Sequence, residues 1–94
     1  MGNYSKHDIR GFIVDMQVFL PDMIEEKVRQ LLVELEMIEE NFDREVAIIY
    51  LSSNYSSNKH LAMTILRGMC DSDIKKYIST AKLTLQKEIA SRHH

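Results

Sequence analysis

The chain has no tryptophan, one proline, three glycines and one cysteine among its 94 residues. A lone cysteine excludes an internal disulfide framework and makes a reducing compartment the simpler setting. So few glycines and prolines cannot supply the many tight turns of a β-sandwich or barrel. No apolar run approaches the roughly 20 residues that cross a bilayer. The first twenty residues carry Lys6, Asp8, Arg10 and Asp15, unlike the apolar core of a signal peptide. No membrane association and a cytoplasmic location are therefore expected.

Signatures of chemistry are missing too. There is no glycine-rich phosphate loop, no Gly-x-Ser-x-Gly elbow and no His-Glu-x-x-His. His60 and Cys70 stand ten residues apart with no second ligand pair, which fits no zinc spacing. Cys70 reads as a small apolar structural residue. The adjacent pairs Glu25-Glu26 and Glu39-Glu40 diverge on a helix and make poor acid/base dyads. The expectation is a non-enzymatic protein with no cofactor, no metal and no small-molecule substrate.

What is present is helical pattern and charge. An apolar fraction of 45% is ordinary for a folded chain, and 94 residues make a single domain spanning 1–94. The net charge is −2, but it is unevenly spread. Residues 1–58 hold five Lys/Arg against eleven Asp/Glu, net −6, and residues 59–94 hold seven against three, net +4. Such a split is a reason to look for a polyanion partner on the basic half, or for an acidic half docking on the basic half of a second protomer.

Ser5 with Asp8 has the form of a helix start, and Ile9, Phe12, Ile13, Met16, Phe19 and Leu20 then recur at helical spacing. Pro21 ends that helix and suits the first turn of the next, which Asp22, Glu25 and Glu26 complement with negative charge. Ile24, Val28, Leu31, Leu35, Ile38 and Phe42 follow a 4-3-4-3-4 spacing, the seam of a coiled coil or bundle. Ile24, Val28, Leu31, Leu35 and Ile38 are thus candidate partner or dimer contacts, or else the core face of an amphipathic helix whose remaining surface is acidic. Asn41 or Asp43 can cap a third helix over about Arg44 to Ser52, although no Gly or Pro enforces the break and one helix from Pro21 to Ser52 is also open. The apolar run 46–51 is read as helix, because no second strand candidate exists to pair with it. Residues 52–58 read as a loop of short polar side chains.

Ser57 or Asn58 caps a fourth helix that Gly68 stops in a left-handed conformation, and Asp71 or Ser72 caps a fifth. Ile74, Tyr77, Ile78, Ala81, Leu85 and Ile89 form the buried face of the fifth, leaving Lys75, Lys76, Ser79, Thr80, Lys82 and Lys87 largely outside. His93 and His94 are left out of functional reasoning.

The stretch from Gly68 to Ile78 resembles the turn and recognition helix of helix-turn-helix DNA-binding domains. Met69 matches the apolar residue after the turn glycine, and Ile74 and Ile78 match the helix anchors. The resemblance covers Asn58 to Arg92, and Thr64 and Arg67 depart from the family's small and apolar positions. It implies that Lys75, Lys76, Ser79, Thr80 and Lys82 face nucleic acid, and that the protein pairs to read two half-sites.

The expected fold is an all-α, compact bundle of four or five helices with a helix-turn-helix-like C-terminal half. Two functions are expected of it. One is a DNA-binding regulator acting through residues 58–92 as a homodimer. The other is a protein-interaction module, an adaptor or inhibitor, using the apolar seam and acidic face of the second helix.

Overall fold

Pro21 shapes the first turn differently from the sequence expectation. In the computed structural model, which describes residues 20–56 and 58–93, Leu20–Asp22 form a single 3-10 turn closed by the Met23 amide on the Leu20 carbonyl (3.0 Å). The helix that follows, α1, begins only at Glu25 and runs Glu25–Glu40. Its cap residue, Ile24, supplies no side-chain acceptor. The negative charges of Glu25 and Glu26 in the first turn stand there instead, favoured by the partial positive charge of the helix start. The expected helix over residues 5–19 lies outside the described residues.

The chain breaks at Asn41-Phe42-Asp43, which decides between one helix and two. Asp43 adopts an extended conformation and its carboxylate accepts from the Val46 amide (3.2 Å), starting α2, Arg44–Asn54. That bond satisfies one of the donors a helix start leaves open. The helix passes through the expected loop start at Ser52. Ser52 Oγ donates to the Ile48 carbonyl (2.8 Å), and Asn54 Nδ2 donates to the Tyr50 carbonyl (3.0 Å), so both polar side chains are satisfied on the helix itself. Tyr55 then closes α2 with its ring buried.

Helix α3, Lys59–Arg67, starts on Asn58, whose side chain accepts from the Leu61 amide (3.1 Å). Its end also departs from expectation. Gly68 sits at φ −84°, in the right-handed region, and among the described residues no glycine has positive φ. The helix tightens instead into 3-10 bonds, Gly68 amide to Ile65 carbonyl and Met69 amide to Leu66 carbonyl. The cap of the last helix, α4 (Asp71–Arg92), is Cys70 rather than Asp71 or Ser72. Cys70 is exposed, with Sγ 3.2 Å from Ser72 Oγ, so it is not the small core residue the composition suggested.

What holds the Gly68–Cys70 turn is Arg44 at the start of α2. Its guanidinium donates to Asp71 Oδ1 (2.7 Å), the Arg67 carbonyl (3.0 Å) and the Met69 carbonyl (2.7 Å). The planar fork satisfies two carbonyls that the end of α3 leaves open and the first residue of α4 together. Arg67 meets Glu45 on α2 as well (2.9 Å).

The architecture is all-α, four helices with no strand among the described residues. Helices α1 and α4 pack antiparallel: Glu25 meets His93 at one end, and Glu39 meets Lys82 at the other. Helix α2 turns back so that the Tyr50 hydroxyl reaches α1, 3.3 Å from the Leu31 carbonyl, and α3 packs on α2. One core joins all four helices: Val28, Leu31 and Leu35 from α1, Ala47, Ile48 and Leu51 from α2, Ala62, Ile65 and Leu66 from α3, and Ile74, Tyr77, Ile78, Ala81 and Leu85 from α4. The alternation of apolar and polar positions at helical period is what brings these side chains to one interior.

Candidate functional site

The seam of α1 divides into buried and open positions. Val28, Leu31 and Leu35 are 0–1% exposed inside the chain's own core, and Ile38 is partly buried against it. Those three side chains hold the four helices together and are closed to a partner while the fold is intact. Ile24, at the helix cap, is the exception at 70% exposure. The spacing matched a bundle face as well as a dimer seam, and intrachain packing took it.

A different apolar surface is open. Val33 and Met37, one turn apart on α1, are 53% and 61% exposed, and Val46 and Ile49 on α2 are 53% and 45% exposed. Two shallow depressions meet at Tyr50. One, of about 370 Å³, is lined by Val46, Ile49, Tyr50, Ser53 and Asn54. The other, of about 240 Å³, is lined by Glu34, Met37, Ile38 and Tyr50. Together they form a groove along the outer side of the α1–α2 pair, apolar except for its rim.

The floor of that groove is cross-linked by hydrogen bonds. The Tyr50 hydroxyl donates to Glu34 Oε1 (2.9 Å), and the Tyr55 hydroxyl stands 3.4 Å away, able to donate to Tyr50 in turn. The two rings meet at a centroid distance of 5.6 Å, tilted by 55°. Burial raises both phenols far above their ordinary range, and the Glu34 carboxylate adds to the rise. Both stay neutral donors at any physiological pH, so this network is structural. Glu34 borders the groove, and elsewhere on α1 Glu26 and Glu40 are exposed and have no ion-pair partner among the described residues.

The five residues expected to face nucleic acid share α4 but not one role. Lys82 Nζ lies 2.6 Å from Glu39 Oε1, and Ser79 Oγ donates to Glu39 Oε2 (3.1 Å). The bond from Lys82, and then that from Ser79, holds the Glu39 carboxyl below its usual range. Glu39 in turn raises the Lys82 ammonium. These two α4 side chains therefore clamp α1. Thr80 Oγ1 donates back to the Lys76 carbonyl (2.9 Å). Lys75 Nζ stands 4.9 Å above the Phe42 ring, a cation–π distance. Lys76 is exposed and has no hydrogen-bond or ion-pair partner among the described residues. The spacing placed all five on one helix. It carried no sign that Glu39, forty residues away in sequence, would take two of them.

Helices α3 and α4 and the turn between them are present, but α3 packs chiefly on α2 and α4 on α1. Among the described residues, no three His, Cys, Asp or Glu side chains gather as a metal site, and no helix is long and apolar enough to cross a membrane. No protein-family model matches the chain, and comparison with characterised proteins and with solved structures finds no significant similarity to any of them.

The exposed groove was missed in the sequence because Met37, Val46 and Ile49 fall off the dominant periodicity of their helices. The one available signal was that α1 and α2 carry more apolar residues than a single core face can use.

Proposed function

We propose that this chain is a non-enzymatic protein-interaction module that receives a partner's amphipathic helix in the groove between α1 and α2. The observation that carries the reading is the exposed run Met37, Val46 and Ile49 around the Tyr50 floor. An apolar strip between two helices matches the ridge of side chains at i, i+3 or i+4, and i+7 that an amphipathic helix presents. The Glu34 carboxylate at the border selects further, favouring a partner helix with lysine or arginine beside its apolar ridge.

The test is selection from a phage-displayed library of amphipathic helices of about 18 residues, against a register-scrambled library of the same composition. Enrichment of basic-flanked helices, lost with Met37→Asp or Ile49→Asp while circular dichroism is unchanged, is the expected result. Equal recovery from the scrambled library would reject the groove as a receptor.

A second reading, DNA binding through residues 58–92, is favoured by one observation: Lys75 and Lys76 are exposed in the first half of α4, just past the turn. Ion pairing of Lys82 with Glu39 weighs against it, since a neutralised lysine releases no counterions from phosphate. The Lys75→Glu, Lys76→Glu double variant should abolish duplex binding at low salt if this reading is right. Retained helix binding by that variant separates the two functions.

A further inference from the structure

We infer that the chain associates with itself head to tail, the outer stripe of α1 on one copy receiving the outer stripe of α4 on a second copy. This surface shares only Met37 with the groove and does not rest on the reading of the groove.

The first argument is what each helix leaves uncovered. On α1, Glu26, Gln30, Val33, Met37 and Glu40 recur at spacings of four and three, and all are exposed. They lie across the helix from Val28, Leu31 and Leu35, which the core takes. On α4, Lys76, Leu83, Lys87 and Ala90 form the corresponding exposed stripe, across from Ile74, Ile78, Ala81 and Leu85. Val33, Met37 and Leu83 are each more than half exposed. Each stripe therefore has an apolar middle between two like charges.

The second argument is charge. Glu26 and Glu40 bound the α1 stripe, and Lys76 and Lys87 bound the apolar middle of the α4 stripe. None of the four has an ion-pair partner among the described residues. Arg29, at the edge of the α1 stripe, is already held by Glu25 (2.8 Å). Either stripe laid on its own copy would set like charges together. Laying α1 on α4 joins opposite ones, which favours that pairing over the other two.

The third argument is register. Glu26 to Glu40 spans about 21 Å of helix, and Lys76 to Lys87 about 17 Å. Seat Leu83 between Val33 and Met37 with the two helices parallel. Lys76 then falls within about 3 Å of Glu26 along the axis, and Lys87 within about 2 Å of Glu40. The antiparallel arrangement leaves Lys87 about 8 Å short of Glu26. Because the two stripes differ, a pair of copies still has one of each free, and association continues unless the rotation closes a ring. One helix on one helix is a small contact, so it belongs to high protein concentration and low salt.

The test is sedimentation velocity of the full chain over a concentration series reaching about 1 mM, at low and moderate salt. The mean sedimentation coefficient should rise with concentration at low salt and fall back toward the monomer's as salt is added. Val33→Asp and Leu83→Asp change exposed side chains, so each should keep its circular dichroism and sediment as a monomer. Their equimolar mixture should form a dimer and nothing larger, since only one intact stripe of each kind remains. The Lys76→Glu, Lys87→Glu variant, which touches nothing buried, should also be monomeric. A wild-type chain that stays monomeric throughout overturns the inference. So does association that survives in either single variant, or a mixture of the two that stays monomeric. Val33 lines neither depression of the groove, so Val33→Asp should still recover amphipathic helices there, which keeps the two readings apart.

Discussion

The two sides of α1 make opposite use of the same helix. Toward α4 it is closed: Leu35 and Val28 are fully buried, and Glu39 is held by Lys82 and Ser79. Toward the outer face of α2 it is open, with Met37, Val46 and Ile49 exposed around Tyr50. Both sides are apolar in sequence. The closed side has a 22-residue helix lying along it, whereas the outer face of the open side has no described element above it. Hydrophobicity alone therefore does not separate core from open apolar surface; the presence of a covering element does.

That contrast can be broken most sharply by substituting both sides. Leu35→Ala should cost about 2–5 kcal/mol of unfolding free energy in urea, since it removes a fully buried side chain and leaves a cavity. Met37→Ala, two residues on, should cost far less. Comparable losses at both positions would mean that the open side is core.

A smaller effect is expected at the Arg44 clamp. Arg44→Ala should cost about 1–3 kcal/mol, the range for hydrogen bonds made by a charged group. Amide exchange should accelerate at Gly68 to Cys70 more than in the middle of α4. Uniform acceleration would show that the turn is held by packing alone.

The smallest effect belongs to the Glu39–Lys82 pair, at most about 1 kcal/mol for a pair in contact with solvent. Its pH dependence has a definite sign. Glu39 has a lowered carboxyl pKa in the fold, so its stabilisation is present above the ordinary value of 4.5 and is lost as pH falls through the lowered one. Lys82 has a raised pKa, so its stabilisation is present below the ordinary 10.5 and is lost as pH rises through the raised one. The stability difference between wild type and Glu39→Gln should stay flat between those limits and shrink below the lower one. A difference that persists in acid would assign the effect to packing rather than to charge.

Much of the fold was legible in particular residues. Asp43 and Asn58 cap the helices they were expected to cap, because a short acceptor before an apolar-periodic stretch has one low-energy conformation. Continuous apolar sequence at 46–51 folds as helix, since no partner strand exists for it among the described residues. Gly68 shows where local reasoning stops: its permissiveness is unused because the helix end closes in 3-10 bonds to the Ile65 and Leu66 carbonyls, while Arg44, distant in sequence, takes the Arg67 and Met69 carbonyls beyond them. The candidate site was less legible. Three of five seam residues entered the core, and two of five basic-face residues turned to Glu39.

Helix positions, the inward face of each helix and the all-α class follow from the sequence by itself, because capping and 3.6-residue periodicity act over a few neighbouring residues. Which apolar face becomes core and which stays open was decided only by tertiary structure. Burial depends on what lies across from a side chain, and here the helix opposite the α1 seam begins more than thirty residues after it.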